Sequence, residues 1–173
     1  ELVADKDRYA PGETARLLVK SPWPSGEAVL TVEREGVLSA RRVRLEGAAT
    51  TLEVPITEAS IPNVFASVVL VRGRVAPPDA ASPDADPGRP AVKVGYLQLP
   101  VERRAKRLAV TLTPDAAVKR PRERVQVAVA VKDWRGQGVA AEVTVWAVDE
   151  GVLRLTGYQP PDPVELLHPP RGL

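Results

Sequence analysis

The sequence predicts an all-β chain built as two antiparallel β-sandwiches in tandem, the second of them incomplete. Three observations carry this. First, 27 of the 173 residues are valine, against one phenylalanine, no methionine and no cysteine; valine, branched at Cβ, suits a pleated surface better than a helix. Second, 18 prolines and 12 glycines run through the chain. Proline is excluded from helix interiors and central strands, so the strands are short and the turns many. Third, the order of strands and turns starts again after about a hundred residues, a typical domain length. A helical bundle is excluded.

Residues 2–4 form a short first strand. Pro11-Gly12 supplies the turn that follows, proline presetting φ and glycine accepting a positive φ, and residues 15–20 make the next strand. Pro22-Trp23-Pro24-Ser25-Gly26 is a loop. Residues 28–33 alternate and turn through Arg34-Glu35-Gly36 into residues 37–45, the pattern of a hairpin with glycine in its loop. Residues 50–56, 64–75 and 91–101 complete seven strands, the last with Val92, Val94 and Tyr96 on one face. Seven short strands with turn signals about every 8–12 residues are the pattern of a β-sandwich. Between the last two strands, residues 76–90 hold five prolines and no large apolar side chain. Such a segment buries too little to offset its ordering entropy, so it is expected to be a mobile loop, with Arg89 as a candidate protease-sensitive point.

The first domain is expected over residues 1–103, where a charged run ends it, and the second over residues 104–173. Residues 108–113 open the second. Val125, Val127, Val129 and Val131 then alternate with small or polar residues, apolar side inward. Residues 133–138 turn, and residues 139–149 follow as a strand whose two faces are both expected to be buried. The restart is a repeat: Asp5, Pro11, Glu13, Leu17 and Val19 fall on Asp115, Pro121, Glu123, Val127 and Val129, an offset of 110 throughout. That period means two copies of one domain type rather than a solenoid of roughly 20–50-residue units. The second copy holds only three or four strands, so it is expected to have an open edge and an uncovered face. Its missing strands are expected elsewhere, or the chain to be cut inside that domain.

The formal charge is +2, without the clustered basic surface of a nucleic-acid binder. The absence of cysteine excludes a disulfide scaffold, a thiolate metal site and a cysteine nucleophile. His168 is the only histidine, which excludes sites needing two imidazoles. No apolar run reaches the roughly 18 residues of a membrane span. The basic runs at residues 41–44, 103–107 and 119–124 lack the interleaved aromatics on which bases stack and read as solvated faces and a charged joint. His168 has no recognisable nucleophile or orienting partner and reads as a surface residue. Asp149 and Glu150, neighbours on a strand, point to opposite faces; Asp149 reads as a turn-stabilising or buried hydrogen-bonded group rather than a catalytic or calcium site. Trp146 is expected in the core or packed between domains, and Trp23 and Trp134 in turns that mark an interface. No catalytic residue, cofactor or metal is expected, nor contact with nucleic acid or membrane.

The most specific stretch is Ala141-Glu-Val-Thr-Val-Trp-Ala-Val-Asp-Glu-Gly-Val-Leu-Arg-Leu-Thr-Gly-Tyr158, followed by Pro161-Asp-Pro163. It resembles bacterial alpha-2-macroglobulins, large thioester-type protease inhibitors. In that family a strand ending in Ala-Val-Asp is followed by a small or basic pair and then Val/Ile-Leu, which marks Trp146, Asp149, Gly151 and Leu153 as structural positions. Tyr9-Ala-Pro-Gly-Glu13 resembles the opening of the preceding macroglobulin-like domain, with Tyr9, Pro11 and Gly12 as its structural residues. Pro62-Asn-Val64 and residues 67–74 resemble a later strand of it.

The resemblance implies two consecutive macroglobulin-like domains of fibronectin/immunoglobulin-like sandwich type, about the fifth and the first part of the sixth. It also implies a short helix at residues 162–167 and an end before the bait region. The implied role is structural: scaffold of a broad-spectrum inhibitor that traps proteases after bait cleavage, periplasmic or extracellular. Its implied partners are the other macroglobulin-like domains of the parent chain and, through the whole inhibitor, target proteases. The family's thioester motif, Cys-x-Glu-Gln, requires a cysteine that these residues do not contain. Two readings of other classes fit the sandwich pattern: an adhesion or spacer module of a cell-surface protein, and accessory β-domains of a secreted enzyme.

Overall fold

The structure is a computed structural model that describes residues 1–76, 86, 88–120 and 122–173. The chain divides into two compact units: Glu1–Glu102 with Pro169–Leu173, and Arg103–His168. The tail 169–173, which the sequence places with the second domain, packs with the first.

Among the described residues the first unit contains seven strands, as predicted: β1 (Leu2–Ala4), β2 (Thr14–Lys20), β3 (Ser25–Glu33), β4 (Val37–Glu46), β5 (Ala49–Pro55), β6 (Asn63–Arg72) and β7 (Ala91–Pro100). They form two sheets, β1-β2-β5 and β4-β3-β6-β7, with every pairing antiparallel. The period of two explains the layering. On β2, Ala15, Leu17 and Val19 are buried while Thr14, Arg16 and Lys20 face water. On β6, Val64, Ala66, Val68 and Leu70 are the inward set. Cross-strand partners Leu17↔Leu52, Leu30↔Val68 and Val64↔Leu99 bring these sets into rows, and the two inner faces meet as a sandwich core. Each valine or leucine among them contributes about 1.5–3 kcal/mol of transfer free energy. Gly95 lets the sheets close: a Cβ there would stand 3.1 Å from Cβ of Leu2, so β1 lies close over β7.

The second unit contains β8 (Ala109–Pro114), β9 (Val127–Lys132), α1 (Glu150–Thr156) and α2 (Pro163–Leu167). The two strands pair antiparallel, with no third strand among the described residues. Val110, Leu112, Val127 and Val129 are all exposed, and among the described residues Val164 is this unit's one buried apolar side chain. A two-stranded sheet has no opposing layer to bury its face. Among the described residues, neither β8 nor β9 has a second neighbouring strand.

Residues 139–149 depart from expectation. Val139 N donates to Val131 O at 3.1 Å and Lys132 bridges Gly138, but residues 139–149 carry no strand. Side-chain alternation specifies which faces a strand would have; the partner backbone that makes a ladder must come from elsewhere. Both faces are therefore open rather than buried, and Trp146, expected in the core or packed between domains, is 66% exposed. The predicted mobile loop, residues 76–90, falls largely on residues 77–85 and 87, outside the described residues.

Candidate functional site

The first family-like motif is a fastening built around Tyr9, which is wholly buried. Its hydroxyl donates to Asp5 Oδ1 at 2.6 Å and accepts from Lys6 N at 3.2 Å. The same carboxylate oxygen accepts from Arg16 N at 2.9 Å. In the main chain, Tyr9 N donates to Pro100 O at 3.0 Å and Tyr9 O accepts from Glu102 N at 2.8 Å. One residue thus ties the β1–β2 turn to the start of β2 and to the end of β7. After Pro11, Gly12 sits at φ 97 and its N–H reaches Ile56 O at 2.8 Å. Glu13 closes the turn by accepting from Ala10 N at 2.9 Å and pairing with Lys6 at 2.8 Å.

The electrostatics suit a fastening rather than a catalyst. Burial first, then the bond to Asp5, pushes the Tyr9 phenol up to about 12. The Tyr9 bond, then the Arg16 amide, holds the Asp5 carboxyl below its ordinary value. Lys6, then the Ala10 amide, does the same for Glu13. None of the three is moved towards neutral pH, where an efficient general acid or base would sit.

The fastening recurs 110 residues later. Asp115 N donates to Gln126 O at 2.9 Å, as Asp5 N does to Arg16 O at 3.0 Å. Glu123 accepts from Arg120 N at 3.0 Å, matching Glu13 and Ala10. The register Leu112↔Val129, Thr113↔Ala128, Pro114↔Val127 repeats Leu2↔Val19, Val3↔Leu18, Ala4↔Leu17. Three of the fastening's residues differ in chemistry, the first being Ala116 in place of Lys6, the ion-pair partner of Glu13. Lys119 replaces Tyr9, its ammonium 2.9 Å from Asp115, and Arg122 replaces Gly12 at φ 72. An ion pair takes over from the buried phenol, and a side chain occupies a backbone conformation that favours glycine.

The second motif surrounds α1. Asp149 is not on a strand: it caps this helix, Oδ1 accepting from Gly151 N at 2.7 Å. A Cβ at residue 151 would lie 2.9 Å from that oxygen, so glycine leaves the carboxylate its room. Leu153 N reaches Asp149 O at 3.3 Å, and Leu153 O accepts from Gly157 N at 2.9 Å. Leu153 and Trp146 are both exposed. The short helix expected at residues 162–167 is α2, capped by Asp162 through Val164 N at 2.9 Å with Pro163 in its first turn. Two ion pairs hold it, Arg107 with Asp162 and Arg103 with Glu165, the latter at 2.6 Å. The Arg107 bond is the chief reason the Asp162 carboxyl lies below its usual range. Locally Arg103 and Arg107 are only part of a charged joint; their carboxylate partners lie 62 and 55 residues away.

The remaining candidates have structural occupations. His168 caps the C-terminus of α2 and lines a shallow groove with Lys106, Arg107, Leu108, Val110, Pro163, Val164 and Leu167. Neither a carboxylate nor a hydroxyl is among them. Asp133 holds its turn by accepting from Arg135 N and Gln137 N, both at 2.9 Å. Trp134 lies against the guanidinium groups of Arg104 and Arg135, and Trp23 against that of Arg72. In the first basic run, Arg44 pairs with Glu27 and Arg41 donates to Glu53 O. Arg89 is exposed; its N–H reaches Asp86 O and its carbonyl accepts from Arg72. Among the described residues no group of three or more His, Cys, Asp or Glu is placed to hold a metal. Nor is any helix among them long and apolar enough to cross a membrane.

Comparison with known proteins agrees with the motifs. The alpha-2-macroglobulin bait region domain family model matches residues 1–155. The chain is similar to an alpha-2-macroglobulin homolog of Nostoc sp., 29% identical over 170 residues, covering 97% of this chain and 9% of that protein. It is 32% identical over 163 residues to the alpha-2-macroglobulin of Xylella fastidiosa, covering 94% and 9%. A Deinococcus radiodurans homolog is 32% identical over 168 residues, covering 96% and 15%. Among solved structures, the native conformation of Escherichia coli alpha-2-macroglobulin gives 26% identity and a TM-score of 0.45, covering 95% of this chain and 10% of that one. The chain spans about a tenth of the length of the relatives it matches. With the bait region domain model covering residues 1–155, the chain belongs to the alpha-2-macroglobulin family.

Proposed function

We propose that the chain is a scaffold segment of a broad-spectrum protease inhibitor, one that frames a bait region and moves when a protease cuts it. The observation that carries this is the match of the bait region domain to residues 1–155. The first unit supports it as a closed, fastened sandwich able to act as a rigid body. The second unit supports it through its open edge. In the first unit β5 pairs along β2 from Thr14 to Lys20; the corresponding edge of β9 has no strand among the described residues.

In this reading the units are about the fifth and the first part of the sixth macroglobulin-like domain. Strands from other parts of the parent chain complete the second, over residues 104–168 and beyond. The bait region follows, and its cleavage releases a rearrangement in which such domains move as bodies. The fragment itself is not an enzyme. It carries no thioester cysteine, so any covalent capture belongs to another part of the molecule. The parent is placed in the periplasm or outside the cell, its partners being its own further domains and target proteases. Arg89 is a secondary point of attack, weakened by the proline that follows it.

Limited proteolysis of the intact parent protein tests the reading. One dominant early cut beyond Leu173, with the protease then retained by the inhibitor, is the expected result. First cuts inside residues 1–168, with the protease left free, would overturn it.

A further inference from the structure

We propose that Asn63 is an intramolecular docking site for main chain: with Glu35, it latches the segment Pro169–Leu173 onto the first sandwich through Arg171. Asn63 is the first residue of β6 and is only 1% exposed. Its Nδ2 donates to Arg171 O at 2.9 Å, and its Oδ1 accepts from Arg171 N at 2.8 Å. A side-chain amide offers one donor side and one acceptor side. Facing a single residue with both, it reproduces the paired bonds that opposed residues exchange in an antiparallel ladder. These two bonds satisfy both ends of a buried amide that would otherwise need other partners.

The occupant is fitted to the site by its sequence. Pro169 and Pro170 have no N–H and stiffen the backbone in an extended form. Arg171 is therefore the first residue after His168 able to donate a main-chain hydrogen bond. Its guanidinium reaches back to Glu35 Oε2 at 3.1 Å, and Glu35 lies in the β3–β4 turn at φ 54. Amide N–H, carbonyl and guanidinium of one residue are thus all engaged by the sandwich. The chain leaves the first unit after Glu102 and rejoins it at Pro169, so the latch fixes the point from which any following polypeptide departs.

The latch also has a chemical consequence. A trypsin-type protease cutting after Arg171 must take both its guanidinium and its carbonyl, the groups that Glu35 and Asn63 hold. The bond from Arg171 to Gly172 is therefore masked while the latch is closed, whatever the parent molecule does.

The test is amide hydrogen exchange at Arg171 together with the rate of trypsin cleavage after it, on the intact protein and on Asn63→Ala and Glu35→Gln. In the unaltered protein the Arg171 amide should exchange at least about tenfold more slowly than in a free peptide. Asn63→Ala should remove that protection and raise the cut after Arg171 by a similar factor, with the Leu30 and Val68 amides unchanged. Glu35→Gln should raise the cut by about two- to fivefold, the range of an exposed ion pair. If Asn63→Ala unfolds the sandwich, the unaltered protein and Glu35→Gln still decide. Free-peptide exchange at Arg171 in the unaltered protein overturns the latch. So does a folded Asn63→Ala with unchanged exchange and cutting.

Discussion

Replacing Tyr9 with phenylalanine isolates the fastening of the first sandwich. The ring, wholly buried, stays; only the hydroxyl that donates to Asp5 at 2.6 Å and accepts from Lys6 N is lost. A hydrogen bond to an ionised group contributes about 1.5–3 kcal/mol. Water can reach Asp5 and replace part of it, so the loss should lie at the lower end, about 1.5 kcal/mol. For a unit of about a hundred residues this lowers Tm by about 6–12 °C. Urea unfolding of both forms, followed by circular dichroism, should show a lower midpoint with an unchanged slope. The sign of the pH dependence follows from Asp5, whose carboxyl the fold holds below its ordinary value, chiefly through Tyr9. That stabilisation is complete above the unfolded value of about 3.9 and is lost as pH falls through the depressed one. The gap between the two proteins should therefore be widest near neutrality and shrink in acid. A gap below about 0.5 kcal/mol at neutral pH, or one that does not change on acidification, would refute the assignment of Tyr9 to this role.

Gly12→Ala should destabilise the first unit by about 1–2 kcal/mol through its left-handed φ alone, since the new methyl meets nothing within 4 Å; the urea midpoint reads it. The reverse change, Arg122→Gly, should slow exchange of the β9 amides, with a gain of at most about 1 kcal/mol because glycine also loosens the unfolded chain. Asp149→Ala should remove about 1 kcal/mol of capping from α1, visible as a shift of residues 150–156 towards coil in Cα chemical shifts. The Asp162 carboxyl is depressed chiefly by Arg107. Anchoring of α2 should therefore be constant near neutrality and fade as pH drops below about 4, followed through the amide of Val164; Arg107→Ala should move that loss to higher pH.

The first sandwich was legible in the sequence because each strand buries every second residue between two sheets, and that burial writes a period of two. Which strand joins which sheet was not legible: β1 and β5 flank β2 through contacts far apart in sequence. Tyr9 was recognisable as part of a turn motif, but its hold on Pro100 and Glu102 was not. The 110-residue repeat was legible down to register, because its Asp and Glu sit at the turn's bonded positions. Residues 139–149 misled for the opposite reason: valines alternate there without a described partner strand. Asp149-Glu-Gly held the right signal, an acidic cap with glutamate in the first turn, which the preceding valines outweighed. Asn63 and Arg171 meet across 108 residues, beyond any local pattern.

The trapping role is tested most directly by reacting the intact parent protein with an equimolar trypsin-type protease and assaying two substrates. A scaffold for a trap predicts that cleavage of a large protein substrate falls sharply while hydrolysis of a small peptide substrate persists. Undiminished activity on both substrates, or loss of both, would contradict it.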